Sequence, residues 1–502
     1  MGTRRFDTDF TKSKYTAVIS DLHLTEAEPA HPIYPLWKKF KTKEFFFDQD
    51  FQCFLEHIQE LAQGEQVELV LNGDIFDFDS VLTLPERPPY RIQWLEKKRG
   101  MFPEEPKSLF KMKKIIEDHP IWFSALSTFI KAGHRVLFVV GNHDLELHFI
   151  KVQESILEAL DLNEESRKNV RFNEWFYISN SDTLIEHGNQ HDPYCVCQDP
   201  VNPMVIKYNR VEVRLPFGNL ACRYMINGMG FFNPHADANY IMSAKQYLRF
   251  FVDYLLKTQP LILFTWFWGS MVVLWQSFID GLLPELREPL ITEDRVNEIA
   301  RKANATPRMV RELAELRVHP ASSNPITISR ELWLDRAFLV MSTLLITYFL
   351  FVQIKLLLNV SLFWMFIPLF LFLPFFIFYA KSIKPQTVSY KEPKERILST
   401  SGQITQVFRV IYGHTHTLRH EWHGEIEHLN CGTWSPAFAD VECTVPVGKK
   451  SFVWLAPDAE GTEARKAHLM EFSQGTSRGV FGATALGVKN VIEEKKALQK
   501  AK

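Results

Sequence analysis

The chain has 502 residues, 46% of them apolar, which is enough to bury a large core and too long for one small domain. Its 57 Lys and Arg nearly balance 59 Asp and Glu, so there is no basic field to attract nucleic acid. The six cysteines (53, 195, 197, 222, 431 and 443) include no CxxC pair and point to neither a zinc ribbon nor a disulfide framework; reduced thiols in a cytosol-facing protein fit them best.

The first residues, MGTRRFDTDFTKSKYT, lack the apolar stretch of a secretory signal, and Phe6 stands where myristoylation wants Ser or Thr. The strand-like run Tyr15 to Ile19 leads into Ser20-Asp21-Leu22-His23-Leu24. An Asp and a His at i and i+2 share a face of an extended chain, so both can reach one ion. Residues 31–64 read mainly as helix, with Phe51, Phe54, Leu55, Ile58 and Leu61 at helical spacing and Phe45 to Phe47 as core or lid.

The next strand, Val67 to Leu71, closes on Asn72-Gly73-Asp74-Ile75-Phe76-Asp77. Gly73 lets the backbone bend and present Asp74 at the strand end, where one carboxylate can bridge two metals through its two oxygens. Asp77 and Asp79 read as solvated loop acids in preference to groups backing a metal ligand, and the Pro-rich, charged stretch 85–106 as a surface loop.

A third apolar run, Val136 to Val140, is stopped by Gly141-Asn142-His143-Asp144, an amide, an imidazole and a carboxylate that suit a metal site better than a core. The fourth motif follows Thr183 to Glu186 and reads His187-Gly188-Asn189-Gln190-His191-Asp192. His187 ends the strand directly, while His191, further into the loop, reads as facing substrate or backing a ligand. The fifth, Gly413-His414-Thr415-His416, ends the run Val407 to Tyr412, and its two His at i and i+2 of an extended segment can point to one site, serving one ion or two.

More than 220 residues separate the last two motifs. Residues 240–256 have the pattern of an amphipathic helix. Leu261 to Leu283 is apolar and Trp-rich but holds Gly269, Gln276 and Asp280. Residues 292–302 and 307–317 read as two polar helices, with Thr306 before Pro307 as a helix start. Such a pair can serve as a DNA-binding helix-turn-helix, but the acid-base balance and the flanking tracts argue against it. Ala337 to Ala380 is nearly continuous apolar sequence, broken only by Gln353, Lys355 and Asn359. It is long enough for two bilayer crossings of about 20 residues, turning near Lys355 to Asn359.

The ordered set DxH, GD, GNHD, H and GHxH resembles that of the calcineurin-like metallophosphoesterase superfamily, over residues 15–192 and from 404 to about 435. The resemblance implies a two-sheet α/β sandwich carrying two divalent ions, Mn, Fe or Zn. One ion would sit on Asp21, His23, Asp74 and His416, the other on Asp74, Asn142, His187 and His414. His143 would face the scissile phosphate, with Asp144 orienting its ring from behind.

GDIFDF and GNHD depart from the GDxVDRG and GNHE of the phosphoprotein phosphatases. Ser-Asp-Leu-His-Leu, Gly-Asp-Ile-Phe-Asp and Leu429-Asn430-Cys431-Gly432-Thr433-Trp434 look more like the UDP-diacylglucosamine pyrophosphatase branch. Those enzymes tend to carry Arg at the place of His143 and lack the long insert.

The implied function is a membrane-associated hydrolase of a phosphoester or pyrophosphate, with a phosphorylated, lipid-linked small molecule as substrate. A tethered enzyme for soluble phosphoesters and an idle membrane scaffold are the alternatives. The expected division is 1–239 and 386–474 for the metallophosphoesterase domain, 240–385 for a helical membrane insert, and 475–502 for a flexible tail. Because His187 precedes the apolar tracts and His414 and His416 follow them, the number of crossings must be even, so residues 261–283 either lie in the interface or re-enter, the favoured reading, or pair with a further crossing. Lys381, Lys384, Lys391, Lys394 and Arg396 after the last tract place the catalytic side in the cytoplasm.

Overall fold

A computed structural model describes residues 10–207, 209–231, 249–283, 289–382, 393–438, 440–447, 449–458 and 465–480. The expected amphipathic helix lies outside the described residues over 240–248, as do Lys384, Lys391 and the tail beyond 480.

Sixteen described strands run in chain order. They are β1 (Tyr15–Ile19), β2 (Val67–Asn72), β3 (Arg135–Val139), β4 (Val170–Asn173), β5 (Phe176–Ser179), β6 (Thr183–Glu186), β7 (Met204–Lys207) and β8 (Arg210–Val213). After the helical region come β9 (Arg409–Tyr412), β10 (Leu418–His423), β11 (Ile426–Cys431), β12 (Ala437–Phe438), β13 (Pro446–Val447), β14 (Ser451–Pro457), β15 (Arg465–Ser473) and β16 (Thr476–Gly479).

One sheet has the order β16-β15-β14-β1-β2-β3-β4, the other β10-β11-β9-β6-β5, and β7-β8 and β12-β13 are separate ribbons. β1 through β4 pair in parallel, and β9 is parallel to both β6 and β11. Between the sheets, Val18, Val70, Leu137 and Val139 meet Tyr177, Ile185, Ile411 and Leu429. Ala17, Ile19, Leu69, Leu71, Val136 and Phe138 alternate with these and face helices on the outer side, where Phe51, Phe54 and Trp122 pack. Strands covered on both faces have no polar face to show, which is why they read as unbroken apolar runs.

Three expectations change. Helix begins only at Asp48 (Asp48–Leu61), and the preceding segment forms 3-10 turns, since Pro32 and Pro35 interrupt any helical period. The stretch 85–106 is not all surface loop: it holds the helix Trp94–Arg99, and its Glu96 is buried in an ion pair with Lys107 at 2.6 Å.

The region between 240 and 385 is also not structurally uniform. The helices Pro289–Lys302 and Pro307–Glu315 bury Val296, Ile299, Ala300, Val310 and Leu313 against Phe176, Leu184, Val410 and Tyr412 of the second sheet. They are part of the α/β body. The helix Ile262–Leu282 buries Gly269, Ser270, Val273 and Ser277. It packs along the helix Phe217–Tyr224, where a Cβ on Gly269 would crowd the Tyr224 carbonyl. Near its end, Lys207 Nζ donates to Gln276 Oε1 at 2.9 Å and Asp280 Oδ1 at 2.6 Å.

The helices Leu334–Leu358 and Phe366–Ser382 differ from these in burying almost none of their apolar side chains. Asn359, at φ 48°, ends the first of them inside the stretch where the sequence places the turn. Ile262–Leu282, Leu334–Leu358 and, with the 3-10 turn before the last helix, Phe363–Ser382 are each long and apolar enough to cross a membrane.

Candidate metal centre

The five motifs stand at the carboxyl ends of β1, β2, β3, β6 and β9. Parallel strands deliver these ends to one edge. The chain leaves the strands through an unusual set of turns: Asp21, His23, Asp74, His414 and His416 all have left-handed backbones, with φ between 51° and 66°. Each such residue costs about 1–3 kcal/mol and persists only where its surroundings dictate it. Asp and His tolerate that region better than apolar residues do.

Alternation along an extended chain therefore does not bring Asp21 beside His23, or account for the two imidazoles of the last motif. The turns aim those side chains, and His414 and His416 join different groups. Backbone hydrogen bonds hold the turns, with Asp21 N donating to Gly73 O at 3.1 Å, His23 N to Asp74 O at 2.9 Å, and Gly413 N to His187 O at 2.9 Å. Gly73, at φ 77°, has no room for a side chain, because a Cβ would run into the His187 ring.

Two groups of donors converge. In the first, His416 Nε2 lies 3.2 Å from Asp21 Oδ1 and 3.3 Å from His23 Nε2. In the second, Asp74, His187 and His414 present ligand atoms within 4.8 Å of one another. Asp74 Oδ2 belongs to both, at 4.0 Å from His23 Nε2 and 3.2 Å from His187 Nε2. Its other oxygen accepts the His143 backbone N–H at 2.7 Å. A single oxygen is thus shared between the groups, where the sequence reading had one oxygen for each metal.

Asn142 is buried, and its Nδ2 donates to Asn219 Oδ1 at 3.3 Å. Among the described residues, its Oδ1 meets no hydrogen-bond donor. An orphaned amide oxygen beside a packed set of carboxylates and imidazoles is a donor set that fits divalent cations, and its mixed N and O character suits Mn, Fe or Zn.

Burial opposes ionisation of Asp74, yet the imidazoles of His187, His143 and His23 hold its carboxyl well below the usual range. Burial likewise opposes protonation of His143, but Asp74, Asp77 and Asp79 raise it to about 10.

His143 sits over the first group, its ring edge-on to His23 with centroids 5.0 Å apart. Its Nδ1 lies 3.4 Å from Asp77 Oδ1 and 3.6 Å from Asp79 Oδ2. Both acids are buried, which corrects their reading as solvated loop residues. They hold the ring in the way expected of Asp144. The Asp144 carboxylate instead accepts backbone N–H groups from Gly141 at 2.6 Å and Ile75 at 2.8 Å, tying two motif turns together. Burial and nearby Asp74 push it up to about 7.

His191 does not face substrate either: it is buried, with Nε2 3.2 Å from the Tyr412 hydroxyl and 3.6 Å from Glu186. The residue after it, Asp192, was not anticipated, and its Oδ2 lies 3.0 Å from His414 Nε2. Asn219 and Arg223 were also missed. Both are fully buried on the Phe217–Tyr224 helix, and their signal in the sequence is a polar pair at i and i+4 in an otherwise apolar segment.

Residues 15–212 match the family model described as Calcineurin-like phosphoesterase. The match starts at β1 and ends within β8, so it takes in the first four motifs and stops before His414 and His416. No curated protein matches the chain.

Proposed function

Starting from a chain whose residues 15–212 carry a calcineurin-like phosphoesterase domain, we propose that it is a membrane-anchored, dinuclear metal-dependent hydrolase of phosphoester or pyrophosphate bonds. The observation that carries this is the convergence of His414 and His416 onto Asp21, His23, Asp74 and His187, from beyond the matched segment and across the whole helical region.

Asp21, His23, Asp74 and His416 would hold one cation, and Asp74, Asn142, His187 and His414 the other. Divalent ions there supply Lewis acidity and a water of lowered pKa. The protein's own contribution is positional. The turns fix the ligands, and His143, its Nδ1 facing Asp77 and Asp79, offers a proton to the leaving oxygen. No covalent intermediate with a side chain is needed.

For the membrane, the two exposed helices Leu334–Leu358 and Phe366–Ser382 form a hairpin that crosses and returns, leaving both halves of the site on one side. Ile262–Leu282 lies along the interface, since one face is buried on the body and its last turns are tied to Lys207. Lys381, Lys394 and Arg396 after the hairpin favour the cytoplasmic side. The body comprises 1–239 and 386–474, together with the two helices of 289–315 that complete its second layer. Because the Phe217–Tyr224 helix lies between Ile262–Leu282 and the site, the cations stand close to the membrane surface, which favours a lipid-linked substrate.

Purified full-length protein loaded with Mn should hydrolyse bis-p-nitrophenyl phosphate, and Asp74→Ala should reduce this to background. Two bound ions without turnover would identify an idle scaffold. Preference for phosphorylated lipids over water-soluble esters would support the lipid reading, and the reverse preference would leave a tethered enzyme for soluble substrates.

A further inference from the structure

We infer that Asn219 is a positioning residue for the metal centre: it sets the orientation of the Asn142 amide, and Arg223 on the same helix supports it. This rests on reading the strand ends as a two-cation centre.

An amide can turn over at little steric cost, yet only its oxygen binds a cation. Something must therefore choose between the two orientations of Asn142. Asn219 Oδ1 accepts from Asn142 Nδ2 at 3.3 Å, which turns Asn142 Oδ1 away from Asn219 and leaves it, among the described residues, without a donor of its own. Turned over, Asn142 would set two acceptor oxygens against each other and point N–H groups at the cations. Asn219 is itself locked, because its Nδ2 donates to two acceptors, the Asn142 carbonyl at 2.8 Å and Asp79 Oδ2 at 2.6 Å. Neither of those can donate in return, so the Asn219 amide has one workable orientation.

Asp79 completes the chain of contacts. Its Oδ1 pairs with Arg223 Nη2 at 2.7 Å, and its Oδ2 lies 3.6 Å from His143 Nδ1. Asn219 and Arg223 are one helical turn apart and both fully buried, so one helix face supports the ligand Asn142 and the proton donor His143 together. Groups behind a ligand typically change metal affinity about 10- to 100-fold when removed.

The test is Mn binding by full-length protein in detergent, measured by calorimetry and elemental analysis, with melting temperature alongside. Wild type should bind two ions. Asn219→Ala should keep one at unchanged affinity and weaken the other about 10- to 100-fold, with kcat falling and KM little changed. In an Asn142→Asp background, where both side-chain oxygens can ligate, the same substitution should cost almost nothing. Asn219→Ser, too short to reach Asn142, replaces the alanine variant if that one fails to fold. Two ions bound at wild-type affinity by the folded variant would overturn the inference, as would an equal loss in the Asn142→Asp background. Wild-type protein binding fewer than two ions would overturn the reading of the centre itself.

Discussion

The metal-ligand edge and the hairpin 334–382 break the same rule in opposite directions. At the edge, Asp21, Asp74, Asn142 and His187 are polar and buried. In the hairpin, Leu345, Phe349, Leu356 and Phe370 are apolar and more than half exposed. Burying polar groups and exposing contiguous apolar surface are each unfavourable for a chain folding alone in water. In the proposed function, cations would satisfy the one region and hydrocarbon the other. The regions also differ in how they are held, since hydrogen bonds between motifs tie the turns of the edge together, while the two hairpin helices are joined by side-chain contacts such as Tyr379 Oη donating to Asp335 Oδ2 at 3.0 Å.

This contrast can be tested from both sides. The largest effect should come from His143→Gln, which removes the proton donor but no ligand. It should lower kcat by about 10²–10⁴-fold, with two ions still bound by elemental analysis. Loss of metal along with activity would make His143 a ligand and redraw the edge.

Next is Leu345→Arg, at the middle of the first hairpin helix and 57% exposed. A charge there should disfavour membrane insertion by about 2.5–3.5 kcal/mol. The carbonate-resistant membrane fraction should fall, while turnover of a water-soluble ester by detergent-purified protein stays near wild type. An unchanged membrane fraction would break the comparison, because this helix would then not meet lipid.

The smallest effect concerns His148, which lies near Arg295 and Lys302 of the Pro289–Lys302 helix. Burial, then the charges of Arg295 and Lys302, lowers its imidazole from 6.5 to about 3. Between those values the folded state binds fewer protons than the unfolded state, so stability is full above about pH 6.5 and falls as pH drops toward 3. His148→Asn should flatten that part of the pH-stability curve in thermal melts. An unchanged curve would mean that the helix does not press on the body as described.

That these polar residues gather at one edge was legible in the sequence because each motif follows an apolar run, and a strand that stops on Asp, Asn or His is conspicuous. The hairpin was legible from length and apolarity alone. Where the sequence reading fell short, the deciding contact was non-local. Asp77 and Asp79 look like loop acids until His143, more than 60 residues away, is folded against them. Asp144 sits beside His143 in sequence but bonds the backbone of Ile75. Asn219 and Arg223 lie in no motif, and only the packing of their helix brings them to Asn142 and Asp79. The left-handed turns at Asp21, His23, Asp74, His414 and His416 leave no compositional trace, so pleat alternation was the natural but incorrect reading.

The most direct test of the account is anomalous diffraction at the manganese edge from Mn-loaded, full-length protein. It should show two peaks, one among Asp21, His23 and His416 and the other among Asn142, His187 and His414, with Asp74 touching both. A single peak, or imidazoles 414 and 416 standing away from any peak, would contradict it.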